Sequence, residues 1–80
     1  MTTLITGITG FAGGHLAEFL IAQGNAPVCG CSRQGSWPTD LEHLKDQVKL
    51  YPCDLTNFQQ ITELLEQLQP TRIYHLAAMA

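Results

Sequence analysis

The chain alternates short apolar runs with longer stretches in which apolar residues recur every three or four positions. Leu4-Ile5-Thr6 is a β-prone run that ends at Gly7 and predicts a buried strand. Ala12, Leu16, Phe19 and Leu20 then fall at i, i+4, i+7 and i+8, predicting a helix that buries that face. Gly24 is placed to cap its C-terminal end, and Pro27 bars continuation. Residues 28–31, VCGC, predict a second strand, and residues 32–38, SRQGSWP, read as a turn. Leu41 and Leu44 support only a turn or two of helix within DLEHLKD. Residues 48–51, VKLY, predict a third strand that Pro52 stops. Thr56 with Gln59 three residues on matches a capping box. Phe58, Ile61, Leu65 and Leu68 form the apolar stripe of the helix that follows, which Pro70 ends. Residues 72–76, RIYHL, predict a fourth strand.

The order β-α-β-(short α)-β-α-β places the chain in the α/β class with a parallel sheet, because parallel neighbours need crossover connections. A doubly wound sheet of order 3-2-1-4 sends the last helix to the opposite face from the first. Its switch point lies between strands one and four, and ligands bind at strand carboxyl ends at such a point. Gly7 ends strand one and Ala77 ends strand four, so two distant segments converge there. No internal repeat or low-complexity tract interrupts this pattern.

Composition narrows the picture. Eighty residues make one small domain at most. With 45% hydrophobic and 14% charged residues, the chain is globular rather than disordered. The net charge is −3, and the basic residues Arg33, Lys45, Lys49 and Arg72 are scattered, which excludes a nucleic-acid binder. No apolar run approaches the ~20 residues that span a bilayer, and MTTLITG lacks the basic start of a signal peptide. Three cysteines without a CxxC argue against a disulfide framework or a zinc site. Cys29 and Cys31 point to one face of a strand and read as small buried apolar residues in a reducing cytoplasm, with a redox pair as the sharper alternative. His15, His43 and His75 show no spacing for a metal or a nucleophile relay and read as structural or surface residues.

Candidate chemistry concentrates in TGITGFAG, where Gly7, Gly10 and Gly13 sit between a strand and a helix. Gly7 lets the chain turn sharply, Gly10 keeps side-chain atoms away from a bound diphosphate, and Gly13 permits close helix-on-sheet packing. The helix start offers unpaired N–H groups and a positive dipole end to phosphate. An ordinary tight βα turn is the competing reading, and the position between strand and helix favours phosphate.

TGITGFAGGHLAEFL, with CDLTN and IYHLAAMA downstream, resembles the start of an extended short-chain dehydrogenase/reductase, whose TGxxGxxG motif matches residues 6–13 without a gap. The resemblance runs through all eighty residues and implies a Rossmann-type fold. LEHL, VKLYPCDLTN and PTRIYHLAA are most similar to the GDP-mannose 4,6-dehydratases of that family, with its epimerases and reductases as alternatives. Gly14 departs from the pattern, since Ser is commoner there. The resemblance implies transient oxidation of a nucleotide sugar at C4, loss of water across C5 and C6, and hydride return at C6. It also implies a cofactor site made of Gly7, Thr9, Gly10, Phe11, Ala12 and Gly13 at the diphosphate, Asp54 at the adenine amino group, Leu55 behind the ring, and Leu76, Ala77 and Ala78 against ribose and diphosphate. Asp54 has a competing role as a helix cap, for which Thr56 is the better placed residue. The region after strand two reads Gly30-Cys31-Ser32-Arg33, without the acid that accepts the ribose 2′-OH of NAD. Arg33 instead offers a guanidinium for a 2′-phosphate and Ser32 a hydroxyl, so the expected cofactor is NADP(H) rather than NAD(H).

The family's catalytic Tyr-x-x-x-Lys is not found: Tyr51 is followed four residues on by Leu55, and Tyr74 by Ala78. The expectation is a partial cofactor domain over residues 1–80, inactive alone, whose complete enzyme is a cytoplasmic homo-oligomer acting on a nucleotide sugar, with no nucleic-acid or membrane partner. Trp37 is assigned no role, and a non-catalytic dinucleotide-binding module is the remaining alternative. Strand four, left as an edge, is expected to make the eighty-residue chain marginal alone or prone to associate.

Overall fold

The computed structural model describes residues 2–24 and 27–76. Every element read from the pattern is present. Strands β1 (Thr3–Thr6), β2 (Val28–Ser32), β3 (Val48–Pro52) and β4 (Arg72–His75) alternate with helices α1 (Phe11–Ala22) and α2 (Phe58–Leu68), and a 3₁₀ helix spans Thr39–Leu44. The strands form one sheet of order β3-β2-β1-β4 with every pairing parallel, as the doubly wound reading requires. Thr6 stands opposite Cys31 on one side and His75 on the other, which brings the carboxyl ends of three strands level.

Strand side chains alternate between two faces. Ile5, Val28 and Val48 pack with Ala17 and Leu20 of α1 and with Leu44, while Leu4, Cys29, Cys31 and Cys53 pack with Leu64 of α2. Each large core side chain, such as Ile5 or Leu44, contributes about 1.5–3 kcal/mol by leaving water. The three cysteines are free and buried. Burial pushes each thiol up, Cys31 to about 11. Among the described residues no helix is long and apolar enough to cross a membrane, and no group of three side chains could hold a metal ion.

The helices correct the sequence reading in three places. The buried face of α1 is Gly13, Gly14, Ala17 and Leu20, not Ala12 and Phe19; Ala12 is exposed and Phe19 is 58% exposed. The first turns of the helix press against the βα turn and against Leu41 of the 3₁₀ helix, where Gly13 and Gly14 leave room for no side chain, and Ala17 and Leu20 enter the core further along. On α2, Leu64 is the buried residue, Ile61, Leu65 and Leu68 are half-buried, and Phe58 is 82% exposed at the helix start. The α2 cap is Asn57 rather than Thr56: Asn57 Oδ1 accepts the Gln60 N–H at 3.1 Å. The reciprocal half of the expected capping box is not made: Gln60 Oε1 accepts the Asp54 N–H, and the Asn57 N–H donates to the Asp54 carbonyl.

Candidate functional site

Each glycine of the turn after β1 has a separate physical cause. Gly7 takes φ +69°, a left-handed conformation that other residues adopt at a cost, and its carbonyl accepts the Gly10 N–H at 3.0 Å to close the turn. A Cβ on Gly13 would stand 2.6 Å from Ile8 Cα and 2.9 Å from Gly7 C, with Gly7 O nearer still. Backbone cannot move aside for it, so Gly13 is fixed by the close approach of the helix to the turn at Gly7 and Ile8, rather than to the strands as the sequence reading expected. Gly10 is different. Its φ of −81° and ψ of 173° suit any residue. The nearest atom to a Cβ there is Gly7 O at an ordinary 3.4 Å, and the residue is exposed. Nothing in the folded chain itself demands glycine at this position.

Gly10 is also the N-cap of α1. No side chain hydrogen bond caps this helix start, and its first turn holds no acid. The leading amides have no helical carbonyl within reach, so they and the positive end of the helix dipole face outward beside a residue without a side chain. Phe11, 85% exposed, stacks edge-on against His15 at 4.4 Å, leaving the amide end uncovered.

The loop after β2 forms the opposite wall. The Ser32 carbonyl accepts the Cys53 N–H at 2.8 Å, and Ser32 Oγ accepts the Gly35 N–H at 2.9 Å. Gly35, at φ +69°, turns against Pro52. The loop is thus tied to β3 at two points, and Arg33 projects from it into solvent. Thr9 of the glycine turn and Ser32, Arg33, Gln34, Ser36, Trp37 and Pro38 of this loop line one cleft of about 300 Å³.

Asp54 follows β3. Its Oδ1 accepts the Thr56 hydroxyl at 2.7 Å and the Thr56 N–H at 2.9 Å, while its own N–H donates to Gln60 Oε1 at 2.8 Å. Those two bonds from Thr56, the hydroxyl first, hold the Asp54 carboxyl below its usual range, and the Arg33 charge lowers it further. Arg33 and Asp54 therefore share one electrostatic neighbourhood at the ends of β2 and β3. At the end of β4, the Leu76 N–H donates to Thr6 Oγ1 at 3.0 Å and to the Thr6 carbonyl at 3.2 Å. Thr6 Oγ1 lies 2.7 Å from His75 Nδ1.

The fold thus brings together Gly7, Thr9, Gly10, Phe11, Ala12 and Gly13 at one helix start, with Ser32 and Arg33 across the cleft and Asp54 near Arg33. Leu55 packs instead with the α2-side cluster. Leu76 is exposed beside the β1 end, and Ala77 and Ala78 lie outside the described residues. Trp37 was missed: it is half-buried against the α1-side core and lines the cleft. Its loop has no periodicity to mark it. Glu18 was missed as well: His43 Nε2 lies 2.6 Å from Glu18 Oε2, linking the 3₁₀ helix to α1.

With this geometry in place, four similarities bear on it. A family model described as GDP-mannose 4,6 dehydratase matches residues 4–80. The chain is 40% identical to a GDP-mannose 4,6-dehydratase of Vibrio cholerae and 34% identical to the human GDP-mannose 4,6 dehydratase, over 96% of its own length in both cases. It spans 23% of the length of each of these curated relatives. A solved UDP-glucose 4-epimerase of Thermus thermophilus in complex with NAD superposes with a TM-score of 0.79 at 27% identity, over 100% of this chain and 25% of that one.

Proposed function

Because the chain belongs to the GDP-mannose 4,6-dehydratase family, we propose that it forms the NADP(H)-binding part of a nucleotide-sugar dehydratase of the GDP-mannose type. One observation carries the dinucleotide reading: Gly10 lacks a side chain that the fold would accommodate, at a helix start that no side chain caps. A diphosphate laid against those amides accounts for both facts. Thr9 and the exposed amide end hold the diphosphate, and Phe11 and Ala12 flank it. Arg33 and Ser32 take the ribose 2′-phosphate, and the Arg33 guanidinium makes NADP(H) the preferred cofactor. Asp54, kept ionised by Thr56, accepts the adenine amino group, and Leu55 supports its loop from the α2 side. Leu76, Ala77 and Ala78 complete the crevice at the end of β4.

When bound, the nicotinamide supplies reversible hydride chemistry, the sugar being oxidised at C4, losing water across C5 and C6, and reduced at C6. Residues 1–80 bind and orient, and the Tyr-x-x-x-Lys pair that moves protons lies outside them. The complete enzyme is cytoplasmic and a homo-oligomer. The superposition on a solved epimerase holding NAD supports a second reading, a nucleotide-sugar epimerase of the same family, and the product formed from GDP-mannose separates the two.

Titration of the complete polypeptide with NADPH and NADH tests the proposal. Gly10→Leu is expected to fold and to weaken NADPH about 100-fold. Arg33→Ala is expected to weaken NADPH about tenfold and leave NADH unchanged. Unaltered NADPH binding by Gly10→Leu would overturn the dinucleotide reading, and equal effects of Arg33→Ala on both cofactors would overturn the NADP preference.

A further inference from the structure

Ile8 has the least exposure in the glycine turn. Its neighbours Gly7 and Thr9 are half-buried and Gly10 is exposed, yet Ile8 is 0% exposed and packs into the α1-side core with Ile5, Ala17 and Val28. The slot it fills has a glycine on each side. Below it lies Gly30, in the middle of β2 and paired with Ile5 and Leu50. A Cβ on Gly30 would stand 2.6 Å from Ile8 Cδ1 and 2.8 Å from Ile8 Cβ, with Cγ2 nearer still. Above it, a Cβ on Gly13 would stand 2.6 Å from Ile8 Cα. The clash at Gly30 reaches Cβ itself, so no rotation of a β-branched side chain relieves it. Glycine weakens a strand interior, and here it marks a site of close approach.

We propose that Ile8 and Gly30 form a positioning pair that sets where the Thr9 and Gly10 amides stand, so that a residue of β2 remote from any ligand controls diphosphate affinity. The inference rests on reading the turn as a diphosphate site. Interiors this dense pass displacement on rather than absorb it. A methyl on Gly30 lifts Ile8, and Thr9 and Gly10 follow it directly in the chain. Truncating Ile8 has the opposite effect and leaves the turn unsupported. Ile8 does not itself line the cleft around Arg33, and apart from Thr9 that cleft is built from residues 32–38, so the pair acts on the diphosphate end far more than on the adenosine end.

The test uses the complete polypeptide with Gly30→Ala, Ile8→Ala and the double variant, titrated with NADPH and with adenosine 2′-monophosphate, which lacks the diphosphate. Thermal melts report folding. Each single variant is expected to bind NADPH about tenfold more weakly and adenosine 2′-monophosphate within about twofold of the parent, and the double variant, which restores part of the volume, to recover to within about threefold. Should Gly30→Ala fail to fold, Ile8→Ala carries the same readings. A folded single variant with unchanged NADPH affinity overturns the inference. So does an equal loss of both ligands, which a general structural defect produces, or a double variant no better than the weaker single. A parent protein that binds no NADPH overturns the dinucleotide reading and this inference together, whereas those three results leave the dinucleotide reading standing.

Discussion

The two helices begin in opposite ways. Both start in a loop after a parallel strand, and both have leading amides that no helical carbonyl can reach. At α2 a side chain of the chain itself caps the start, and the loop before it is bonded internally. Asn57 Oδ1 accepts the Gln60 N–H, Asp54 Oδ1 takes the Thr56 N–H and hydroxyl, and Gln60 Oε1 takes the Asp54 N–H. At α1 a glycine holds the cap position with no side-chain bond at all. The same fold therefore contains one helix start capped by a side chain and one with no side-chain cap. The capped start contributes to stability, and the uncapped one is the position at which the proposed diphosphate would be bound.

That contrast can be broken at either helix. The largest effect is expected from Gly13→Ala, whose single methyl meets backbone at Gly7 and Ile8. Chemical denaturation should show a loss of about 3 kcal/mol, while the same change at Gly10 should cost less than about 1 kcal/mol. Next comes Asn57→Ala, expected to lower stability by about 1 kcal/mol and to leave NADPH affinity unchanged. A fall in affinity would show that the two helix starts are not separate in function. The smallest effect is at Thr56→Val. Asp54 is held below its usual value of 3.8 mainly by the Thr56 hydroxyl. Its contribution is therefore present above pH 3.8 and is lost as pH falls through the lower folded value. Removing the hydroxyl should move the Asp54 titration up toward 3.8, followed by NMR, and flatten the acid limb of stability.

The architecture was legible because strands and helices alternate with distinct periods, and one parallel order satisfies them. The role of Gly7 and the need for a glycine at Gly13 were legible because each answers a local demand. The buried face of α1 was not. A periodic reading weights large apolar residues such as Phe19, but Gly13 lies against the turn at Gly7 and Ile8, Gly14 against Leu41 of the 3₁₀ helix, and Ala17 and Leu20 enter the core. The α2 cap slipped because Thr56 and Asn57 are adjacent acceptors, and only the backbone geometry decides which reaches an amide. That slip matters for Asp54, whose carboxylate is engaged by Thr56 and not left aside by it. Trp37 and the Gly35–Pro52 contact depend on β3 lying beside the loop after β2, a relation that neither segment carries alone.

The thiols under α2 have a practical corollary. Cys29, Cys31 and Cys53 are buried together beneath Leu64 and its neighbours, and burial keeps all three protonated near neutrality. Alkylation of these thiols by a maleimide-type reagent is expected to speed up when that helix detaches, so its rate follows opening of this layer with no introduced label.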